Sequence, residues 1–360
     1  MQPLQSNGYN VYFENALTQL GAYLAEYKYS RIFILTDRET TEHCLPVLLE
    51  AIPSLTDYDH IEVDPGEENK NIDFCIGIWR MLLDFGADRH SLLINLGGGV
   101  VTDMGGFAAS TFKRGIDFVQ VPTTLLSQVD ASVGGKTGID LFGVKNIIGT
   151  FTQPKAVFIH ARFLQTLPDR QVVSGFAEML KHGLIYDLAY FDQLKTIEHA
   201  QIGEAAIYRS VQIKSEVVTA DPEEKSLRKI LNFGHTIGHA IESFSLAHDS
   251  RPLLHGEAIA IGMVAEAYLS HLVCGLPLSN VEEIDRTFSR FFPDYTLNEL
   301  NYPQILEYMI NDKKNTSGKI GFALLDQIGH CLYDLYADEA LIRQALNYYR
   351  NSRRQLSEES

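Results

Sequence analysis

The sequence is poor in long apolar runs, and none approaches the roughly 20 residues that a membrane-spanning helix needs. Its first ten residues, MQPLQSNGYN, have neither a basic segment nor an apolar core, which predicts that no secretory signal peptide is present. Cysteine is also scarce, with four residues spread along 360 positions and no C-x-x-C pair. This spacing predicts four reduced structural thiols in a cytoplasmic protein.

Basic residues are in the minority, with 30 lysines and arginines against 46 acidic residues and a net charge of −16. An acidic surface offers no counter-charge to nucleic acid or to an anionic membrane, so neither is an expected partner. Basic side chains nevertheless stand beside the most distinctive motifs, where they could form a local pocket for a phosphorylated or carboxylated small molecule. They are Arg114, Lys136, Lys145, Lys181, Lys214, Arg228, Lys313 and Lys314.

The pattern of the chain changes near residues 161–168. Before this point, short apolar runs at 31–35, 91–96, 118–121 and 156–159 alternate with helical patterns, which is typical of a parallel α/β sheet. After it, long helical patterns dominate, with one late candidate strand at 320–325. With 360 residues and 45% hydrophobic content, we expect two domains, an α/β domain at 1–165 and a mainly α-helical domain at 166–360.

A glycine-rich turn follows the apolar run at 91–96, in the segment NLGGGVVTDMGG. We expect a strand there to lead through Gly97, Gly98 and Gly99 into a helix that begins near Asp103. Such a turn lets the backbone approach a pyrophosphate at a helix N-terminus. The full dinucleotide fingerprint is not met, because Thr102 stands at the third glycine position. A simple tight turn therefore remains an alternative.

A second motif, VPTTLLSQVDASVGGKTGIDLFGVKNIIG, ends in a Gly-Gly-Lys-Thr that is reminiscent of a phosphate-binding loop. That interpretation fails, because Asp130 occupies the position where the loop needs a glycine. The segment still places many polar residues among glycines, which suits the binding of a polar ligand better than a solvated loop. These residues are Thr123, Thr124, Asp130, Lys136, Lys145 and Asn146.

Histidines and a glutamate indicate a metal site. His235 and His239 are four residues apart in a predicted helix at 228–244, so their side chains share a face, which Arg228 and Asn232 extend. A further histidine, His255, follows soon after. In GFAEMLKHG, the residues Glu178, Lys181 and His182 share another helical face. Spacing alone leaves the ligand set open between these residues, and it suits Zn²⁺ without excluding Fe²⁺, Co²⁺ or Mn²⁺.

These motifs resemble the 3-dehydroquinate synthase family in order and spacing over most of the chain. The matching segments are PGEENK, GGGVVTD, FKRG, VPTTLLSQVDASVGGKTG, VKNIIG, FLQTLP, GFAEMLKHG, LRKILNFGHTIGHAIE, HGEAIAIGM and DKKN. The resemblance implies a dinucleotide-binding α/β domain with a parallel sheet, followed by a helical domain that binds metal and substrate. It also implies a homodimer, bound NAD⁺ and a divalent metal, usually zinc.

The resemblance assigns roles by position. It makes Glu178, His235 and His255 the metal ligands, and it gives His239 to the substrate as the general acid and base. The residues implied to hold NAD⁺ are Asp37, Glu67, Lys70, Gly98, Gly99, Val100, Asp103, Thr123, Thr124, Lys136, Lys145 and Thr166. Those implied for the substrate's carboxylate and phosphate are Lys136, Asn146, Lys181, Lys214, Arg228, Asn232, His239 and either Lys313 or Lys314. Asp130 and Glu224 match polar positions of the active centre, and Arg114 is implied to reach into the partner subunit's site.

The reaction that the resemblance implies converts 3-deoxy-D-arabino-heptulosonate 7-phosphate into 3-dehydroquinate, a step of the shikimate pathway to aromatic amino acids. NAD⁺ oxidises a secondary alcohol, phosphate leaves, the ketone is reduced again, and an intramolecular aldol reaction closes the ring. The metal would polarise the hydroxyl that is oxidised.

Two segments depart from the family's pattern. Asp140, Leu141 and Phe142 stand where the family commonly has Asn-His-Pro, and the loop before His255, which contains His248 and Arg251, is longer than usual.

Three other functions are alternatives to the one that the resemblance implies. They are a sister sugar phosphate cyclase that makes an inosose or valiolone-type ring, an iron-dependent polyol dehydrogenase, and a regulatory protein that binds a dinucleotide without catalysis. Retention of Lys136, Asn146, Lys214, Asn232 and His239 favours a substrate with both carboxylate and phosphate.

Overall fold

The computed structural model describes residues 1–142, 144–198, 201–310 and 320–359, with the backbone alone for 354–359. The strands are β1 Leu4–Ser6, β2 Tyr9–Tyr12, β3 Ile32–Asp37, β4 Asp59–Val63, β5 Leu92–Gly97, β6 Asp117–Pro122, β7 Lys136–Leu141, β8 Val144–Phe151, β9 Ala156–Phe158, β10 Ile320–Gln327 and β11 His330–Ala337. The α-helices are α1 Ala16–Glu26, α2 Arg38–His43, α3 Leu45–Ala51, α4 Ile72–Asp84, α5 Gly99–Thr111, α6 Asp169–Tyr186, α7 Leu188–Leu194, α8 Glu204–Ala220, α9 His235–His248, α10 His255–Cys274, α11 Leu278–Phe291, α12 Tyr302–Ile310 and α13 Glu339–Glu359.

The chain divides into two compact units. The first unit contains Met1–Pro168 and Gly203–Glu223, and the second contains Asp169–Ile202 and Glu224–Ser360. The sequence predicted one continuous boundary near residue 165, whereas α8 returns to the first unit. The reason lies in its packing, because α8 contacts β1 and the π-helical turn Ser127–Ala131.

A seven-stranded sheet forms the centre of the first unit, in the order β1-β2-β9-β6-β5-β3-β4. All neighbouring strands are parallel except β1 and β2. The runs predicted as strands at 31–35, 91–96, 118–121 and 156–159 are confirmed as β3, β5, β6 and β9. Because parallel strands end at one edge of the sheet, the segments after β3, β4, β5 and β6 all begin on the same side.

Both faces of this sheet are covered by helices, as a parallel sheet requires. Phe33 and Leu35 pack on one face with residues of α4 and α5, whereas the intervening Ile34 packs on the other with residues of α1 and α3. The strand period of two explains this alternation, and the continuous apolar character of the strands follows from burial on both sides. The predicted α/β class is therefore confirmed.

A two-stranded antiparallel hairpin, β7–β8, also belongs to the first unit and was not predicted from the sequence. Thr137 and Thr150 are paired across it, and their hydroxyl oxygens lie 2.7 Å apart. The tip of the hairpin carries Phe142, which is 96% exposed. Several predicted ligand residues, among them Lys136, Lys145 and Asn146, lie on these two strands.

The second unit is mainly helical, as predicted, with one antiparallel hairpin formed by β10 and β11. The candidate strand at 320–325 is confirmed as part of β10. Helix α10 passes through the interior of this unit, and nearly all of its residues between Gly256 and Ser270 are buried. By length and composition α10 could cross a membrane, but 72% of its most apolar window is buried inside the protein, as is common for a core helix.

The structure corrects two predicted helix starts. Residues Leu227–Asn232 form a separate 3₁₀ helix, and α9 begins only at His235 after Gly234 adopts a left-handed conformation with φ 79°. The prediction that Arg228 and Asn232 share one continuous helix with His235 and His239 is therefore wrong. Helix α5 begins at Gly99 rather than near Asp103, with Gly98 as its N-cap residue.

Candidate functional site

The glycine-rich turn of the first unit connects β5 directly to α5. A Cβ atom at Gly97 would lie 2.5 Å from the Val101 Cβ, and one at Gly98 would lie 3.0 Å from the Thr124 Cγ2. A side chain at either position would thus fill the space over the first turn of α5, where unsatisfied N–H groups and the positive end of the helix dipole lie. This bare backbone at a helix N-terminus fits the pyrophosphate of a dinucleotide.

Most other residues predicted to hold NAD⁺ lie at the same carboxyl edge of the sheet. Asp37 ends β3, where its Oδ1 accepts a 2.8 Å hydrogen bond from the Thr40 N–H and caps α2. Glu67 and Lys70 follow β4, Thr123 and Thr124 follow β6, and Val100 and Asp103 lie in α5. Thr166 is exposed at the end of a short 3₁₀ helix, Ala161–Thr166. The fold thus brings the segments together, while the individual contacts with NAD⁺ stay predictions.

Lys70 is the centre of a buried polar cluster in this unit. Its ammonium donates 2.7 Å hydrogen bonds to the Asp103 Oδ2 and to the Asn146 Oδ1. Burial alone would lower the pKa of Lys70, but the carboxylates of Asp103 and Glu67 outweigh burial and raise the pKa. Lys70 therefore stays charged and joins three predicted ligand segments, with Lys145 adding a 3.3 Å ion pair to Glu67.

The segment that departs from the family's pattern joins this cluster. The Oδ1 of Asp140 accepts a 2.7 Å hydrogen bond from the backbone N–H of Asn146, which has a left-handed φ of 50°. The backbone N–H of Asp140 donates to the Lys70 carbonyl oxygen at 2.8 Å. Asp140 thus attaches the β7–β8 hairpin to the Lys70 segment, so the departure from Asn-His-Pro does not leave the loop unsupported.

Three further predicted residues of the first unit, all basic, lie outside the Lys70 cluster and differ in their exposure. Lys214, on α8, donates 2.6 Å hydrogen bonds to both the carbonyl oxygen and the Oδ1 of Asp130. Lys136 is exposed at the start of β7. Arg114 is also exposed, and it lies in a short turn with a left-handed φ of 69°. An exposed arginine is compatible with a role toward another subunit, which stays a prediction.

In the second unit, three histidines and one glutamate converge from three helices. The Oε1 of Glu178, on α6, lies 3.6 Å from the Nε2 of His235 and 3.7 Å from the Nε2 of His255. One ligand nitrogen each from His235, His239 and His255 lies within 4.8 Å of the others. This spacing fits donors around one divalent ion. His182 is buried on α6.

The surroundings of Glu178 suit a cation. Its side chain is completely buried, and neither carboxylate oxygen accepts a well-aligned hydrogen bond from the residues that the structure describes. Burial alone would raise the pKa of Glu178, but the neighbouring charges of Lys181 and His255 outweigh it and lower the pKa. Glu178 is therefore an anion whose carboxylate oxygens are available to a cation, although its ion pair with Lys181 competes for them.

Hydrogen bonds at Nδ1 orient the two predicted histidine ligands. The Nδ1 of His235 lies 3.0 Å from the Phe233 carbonyl oxygen, so it carries the proton and Nε2 is left for a metal. The Nδ1 of His255 lies 3.3 Å from the Glu242 Oε2. Burial would lower the pKa of His255, but Glu242 and Glu178 raise it to about 10, so metal binding there must release a proton.

Sequence reasoning missed Glu242 and Glu266, both of which are buried acids in the second unit. Glu242 orients His255. The carboxylate of Glu266 accepts hydrogen bonds from the N–H groups of Gly234 at 2.6 Å and Ile237 at 2.9 Å, which satisfies the start of α9. Their signal in the sequence is weak, because an acid in a helical pattern usually faces solvent.

In the second unit, two of the residues predicted to bind the anionic substrate are buried. Lys181 and Arg228 are 1% and 2% exposed, so their charges are held inside the protein. The Nδ2 of Asn232 donates a 2.5 Å hydrogen bond to the Glu224 Oε1. Lys313 and Lys314 lie in segment 311–319, outside the described residues, so the choice between them stays open.

The chain is similar to known proteins over nearly its whole length. A 3-dehydroquinate synthase of Parabacteroides distasonis is 42% identical over 340 residues, covering 93% of this chain and 96% of the relative. A 2-deoxy-scyllo-inosose synthase solved with carbaglucose-6-phosphate, NAD⁺ and Co²⁺ has a TM-score of 0.84 at 25% identity and covers 96% of this chain and 99% of its own. A 2-epi-5-epi-valiolone synthase of Streptomyces hygroscopicus with NAD⁺ and Zn²⁺ has a TM-score of 0.83 at 26% identity, with coverages of 98% and 99%.

Both halves of the chain match one family. Residues 60–174 match the part described as 3-dehydroquinate synthase N-terminal, and residues 175–315 match the part described as 3-dehydroquinate synthase C-terminal. The match spans the glycine-rich turn, the Lys70 cluster and the histidine cluster. The chain therefore belongs to the 3-dehydroquinate synthase family.

Proposed function

We propose that this chain is a 3-dehydroquinate synthase, a carbon–oxygen lyase that converts 3-deoxy-D-arabino-heptulosonate 7-phosphate into 3-dehydroquinate and phosphate. The observation that carries the proposal is the convergence of Glu178, His235 and His255 around a common point, in a chain that matches the family over both halves. Relatives named 3-dehydroquinate synthase at 36–44% identity support it.

The first unit would hold NAD⁺. Its pyrophosphate would lie on the bare backbone of Gly98 and Gly99, and Asp37 would accept a hydrogen bond from a ribose hydroxyl, as an acid after a neighbouring strand does in dinucleotide-binding folds. Bound NAD⁺ supplies a hydride acceptor that the reaction regenerates. Lys70 would hold this site rigid, because it links Asp103 in α5 to Asn146 in the β7–β8 hairpin.

The second unit would hold the divalent metal through Glu178, His235 and His255. A bound Zn²⁺ or Co²⁺ supplies a Lewis acid that favours loss of a proton from the substrate hydroxyl. The two imidazoles are already aimed, because Phe233 and Glu242 accept from their Nδ1–H groups. The buried, anionic Glu178 provides the charge that attracts the ion.

Charged side chains would fix the two anionic ends of the substrate. By the family resemblance, Lys181, Arg228 and Asn232 of the second unit would donate to the carboxylate and the phosphate. Lys136, Lys214 and Asn146 of the first unit are expected to do the same. Charge-assisted hydrogen bonds of this kind orient a substrate more than they transfer protons. Glu224 would orient the Asn232 amide through the hydrogen bond between them.

His239 would act as the general acid and base. It lies one helical turn after His235 on α9, and the two ring centroids are 5.0 Å apart, so it stands beside the metal position. An imidazole changes its charge near neutral pH, which suits repeated proton transfer.

We further propose that the protein works as a homodimer in which the exposed Arg114 completes the partner's site.

We also propose a cytoplasmic location. The four cysteines are free in the structure, which is compatible with a reducing compartment.

The proposal is tested by incubating the purified, metal-loaded protein with the heptulosonate phosphate and a catalytic amount of NAD⁺. Phosphate and 3-dehydroquinate are measured together, and we expect equal amounts of both without lasting accumulation of NADH. Phosphate release without 3-dehydroquinate, or no turnover, would overturn the assignment. Conversion of a neutral hexose phosphate to an inosose or valiolone ring would identify a sister cyclase instead, and lasting NADH would identify a dehydrogenase.

A further inference from the structure

The N-terminal ends of α6 and α10 are joined by one arginine–carboxylate pair. Arg170 is the second residue of α6, and Glu257 is the third residue of α10. The Nε of Arg170 donates to the Glu257 Oε1, and its Nη2 donates to the Oε2, both at 2.7 Å. Two parallel bonds of this kind fix the angle between the groups as well as the distance, so the pair is a geometric constraint.

The same pair fixes the loop that precedes α10. The Nη2 of Arg170 also donates to the Pro252 carbonyl oxygen at 2.7 Å, and the Glu257 Oε2 also accepts from the Leu254 N–H at 2.8 Å. Leu254 immediately precedes His255. We call this set, Arg170 and Glu257 with the backbone of Pro252 and Leu254, the Arg170 clamp. The Glu257 side chain is 5% exposed, so solvent offers its carboxylate little alternative.

The two helices that the clamp joins carry two of the proposed metal ligands. Glu178 lies eight residues after Arg170 on α6, and His255 is the first residue of α10. Between them, the Gly256 N–H donates to the Ser174 Oγ at 2.9 Å, and a Cβ at Gly256 would lie only 1.8 Å from the Ser174 carbonyl oxygen. The helices therefore approach each other closely at this end.

We propose that Arg170 and Glu257 are positioning residues for the metal site, which set its affinity by holding Glu178 and His255 at their mutual distance before an ion binds. The inference rests on the proposed ligand set. The clamp and the close approach at Gly256 join the two helices that carry these ligands, whose Oε1 and Nε2 atoms lie 3.7 Å apart. When two ligand side chains are held in position before the metal binds, less conformational entropy is lost on binding, and the affinity for the metal is higher.

The test measures Co²⁺ affinity in the absence of NAD⁺ and substrate, by competition with a chelator and by the visible absorption of the bound ion. Arg170→Lys keeps the charge but cannot form two parallel bonds and a third to Pro252. We expect Arg170→Lys and Glu257→Gln each to weaken Co²⁺ binding about 10- to 100-fold, as residues that support a metal's ligands do.

A matched control lies on α13 of the same unit. The Nε of Arg343 donates to the Glu339 Oε1 at 2.8 Å, and its side chain is 35% exposed against 32% for Arg170, but the pair joins residues of a single helix. We expect Arg343→Lys to leave Co²⁺ affinity unchanged. Weakening by Arg343→Lys equal to that by Arg170→Lys would attribute the effect to general loss of stability and would overturn the proposal.

Folding of each variant is checked by circular dichroism and by thermal unfolding of the metal-free protein. If a single change unfolds the protein, the double variant Arg170→Met with Glu257→Gln avoids a buried unpaired charge, and it should bind Co²⁺ as weakly. A folded single or double variant with unaltered Co²⁺ affinity would overturn the clamp. Because the metal is the only probe, that result leaves the synthase proposal intact, whereas failure of the product assay leaves the clamp intact.

Discussion

Two histidines one turn apart on α9 have different proposed roles, His235 as a metal ligand and His239 as a general acid and base. His235 is held by the Phe233 carbonyl oxygen with its Nε2 directed toward Glu178. Burial lowers the pKa of His235 well below its usual value, with the nearby Lys181 as the next cause, so it stays neutral as a ligand must. His239 is close enough to be a fourth donor, and geometry alone does not separate it from the ligands.

We predict that His235→Ala loses both metal and activity, whereas His239→Ala keeps the metal and loses turnover. Removing a general acid and base costs about 10²- to 10⁴-fold in rate, which is large enough to measure beside an intact metal content. Metal content by elemental analysis, Co²⁺ titration and turnover of the same preparations give the comparison. Loss of metal from His239→Ala as complete as from His235→Ala would make His239 a ligand and contradict the division.

At the scale of elements, the position of the histidine cluster depends on how closely α9 and α10 pack. A Cβ at Gly262 would lie 2.0 Å from the Gly234 carbonyl oxygen and 2.6 Å from the Gly238 backbone nitrogen. Because these neighbours are backbone atoms, they cannot turn aside as a side chain could. His235 begins α9 and His255 begins α10, so a separation of these helices would also move the two ligands apart.

We predict that Gly262→Ala destabilises the protein by about 1–3 kcal/mol, the usual cost of overpacking a core. It should also weaken metal binding. The control is Gly77→Ala in α4, where nothing lies within 4 Å of the added Cβ and helix propensity alone should stabilise the protein by about 0.5–1 kcal/mol. Urea unfolding and Co²⁺ titration measure both effects. Equal unfolding midpoints for the two variants would show that the helices can separate at no cost.

The elements that the sequence predicted are those with a clear period and a clear end. β3, β5, β6 and β9 are short, largely apolar runs, of which the first three end in Asp, Gly and Pro, and the long helices of the second unit follow the helical period. The break before α9 could not be predicted, because an isolated glycine such as Gly234 is tolerated within a helical pattern. In its left-handed conformation, the Gly234 N–H donates to the carboxylate of Glu266, which is 32 residues away.

The site residues also differ in whether the sequence could predict them. Glu178, His235 and His255 were assigned by resemblance, and the structure brings them together from three helices, although spacing alone left His182 and His239 as equal candidates. Glu242 and Arg170 were missed because their partners, His255 and Glu257, lie 13 and 87 residues away. A contact of that kind is created by the packing of helices and has no periodic signature in the chain.

At the scale of the whole molecule, the net charge of −16 coexists with several buried cations. Lys70, Lys181 and Lys214 are each paired with a carboxylate, respectively Asp103, Glu178 and Asp130. The acidic excess therefore lies outside these pairs, which place lysine side chains inside a protein whose net charge would repel an anion. If the anionic substrate binds Lys181, as we propose, it would replace Glu178 as the partner of this lysine, which would link the binding of substrate and metal.

The proposed homodimer gives a prediction that only the assembled molecule can show. If Arg114 completes the partner's site, Arg114→Ala and His235→Ala are each inactive alone, because each homodimer lacks one essential residue at both sites. In a mixed dimer, the subunit with an intact His235 receives Arg114 from its partner, so one site is complete. With free subunit exchange about half of the dimers are mixed, and recovered activity should reach about a quarter of that of the unaltered protein.

Exchange is verified by native mass spectrometry of differently tagged subunits before activity is measured. The control mixture combines His235→Ala with Glu178→Ala, which damage the same metal site within each subunit, so no mixed dimer has a complete site. We expect no recovery there. Recovery in the first mixture alone requires that Arg114 acts across subunits, because a residue that serves its own site cannot be supplied by the partner. An Arg114→Ala protein that is fully active, or a verified mixed dimer without activity, would contradict the shared site.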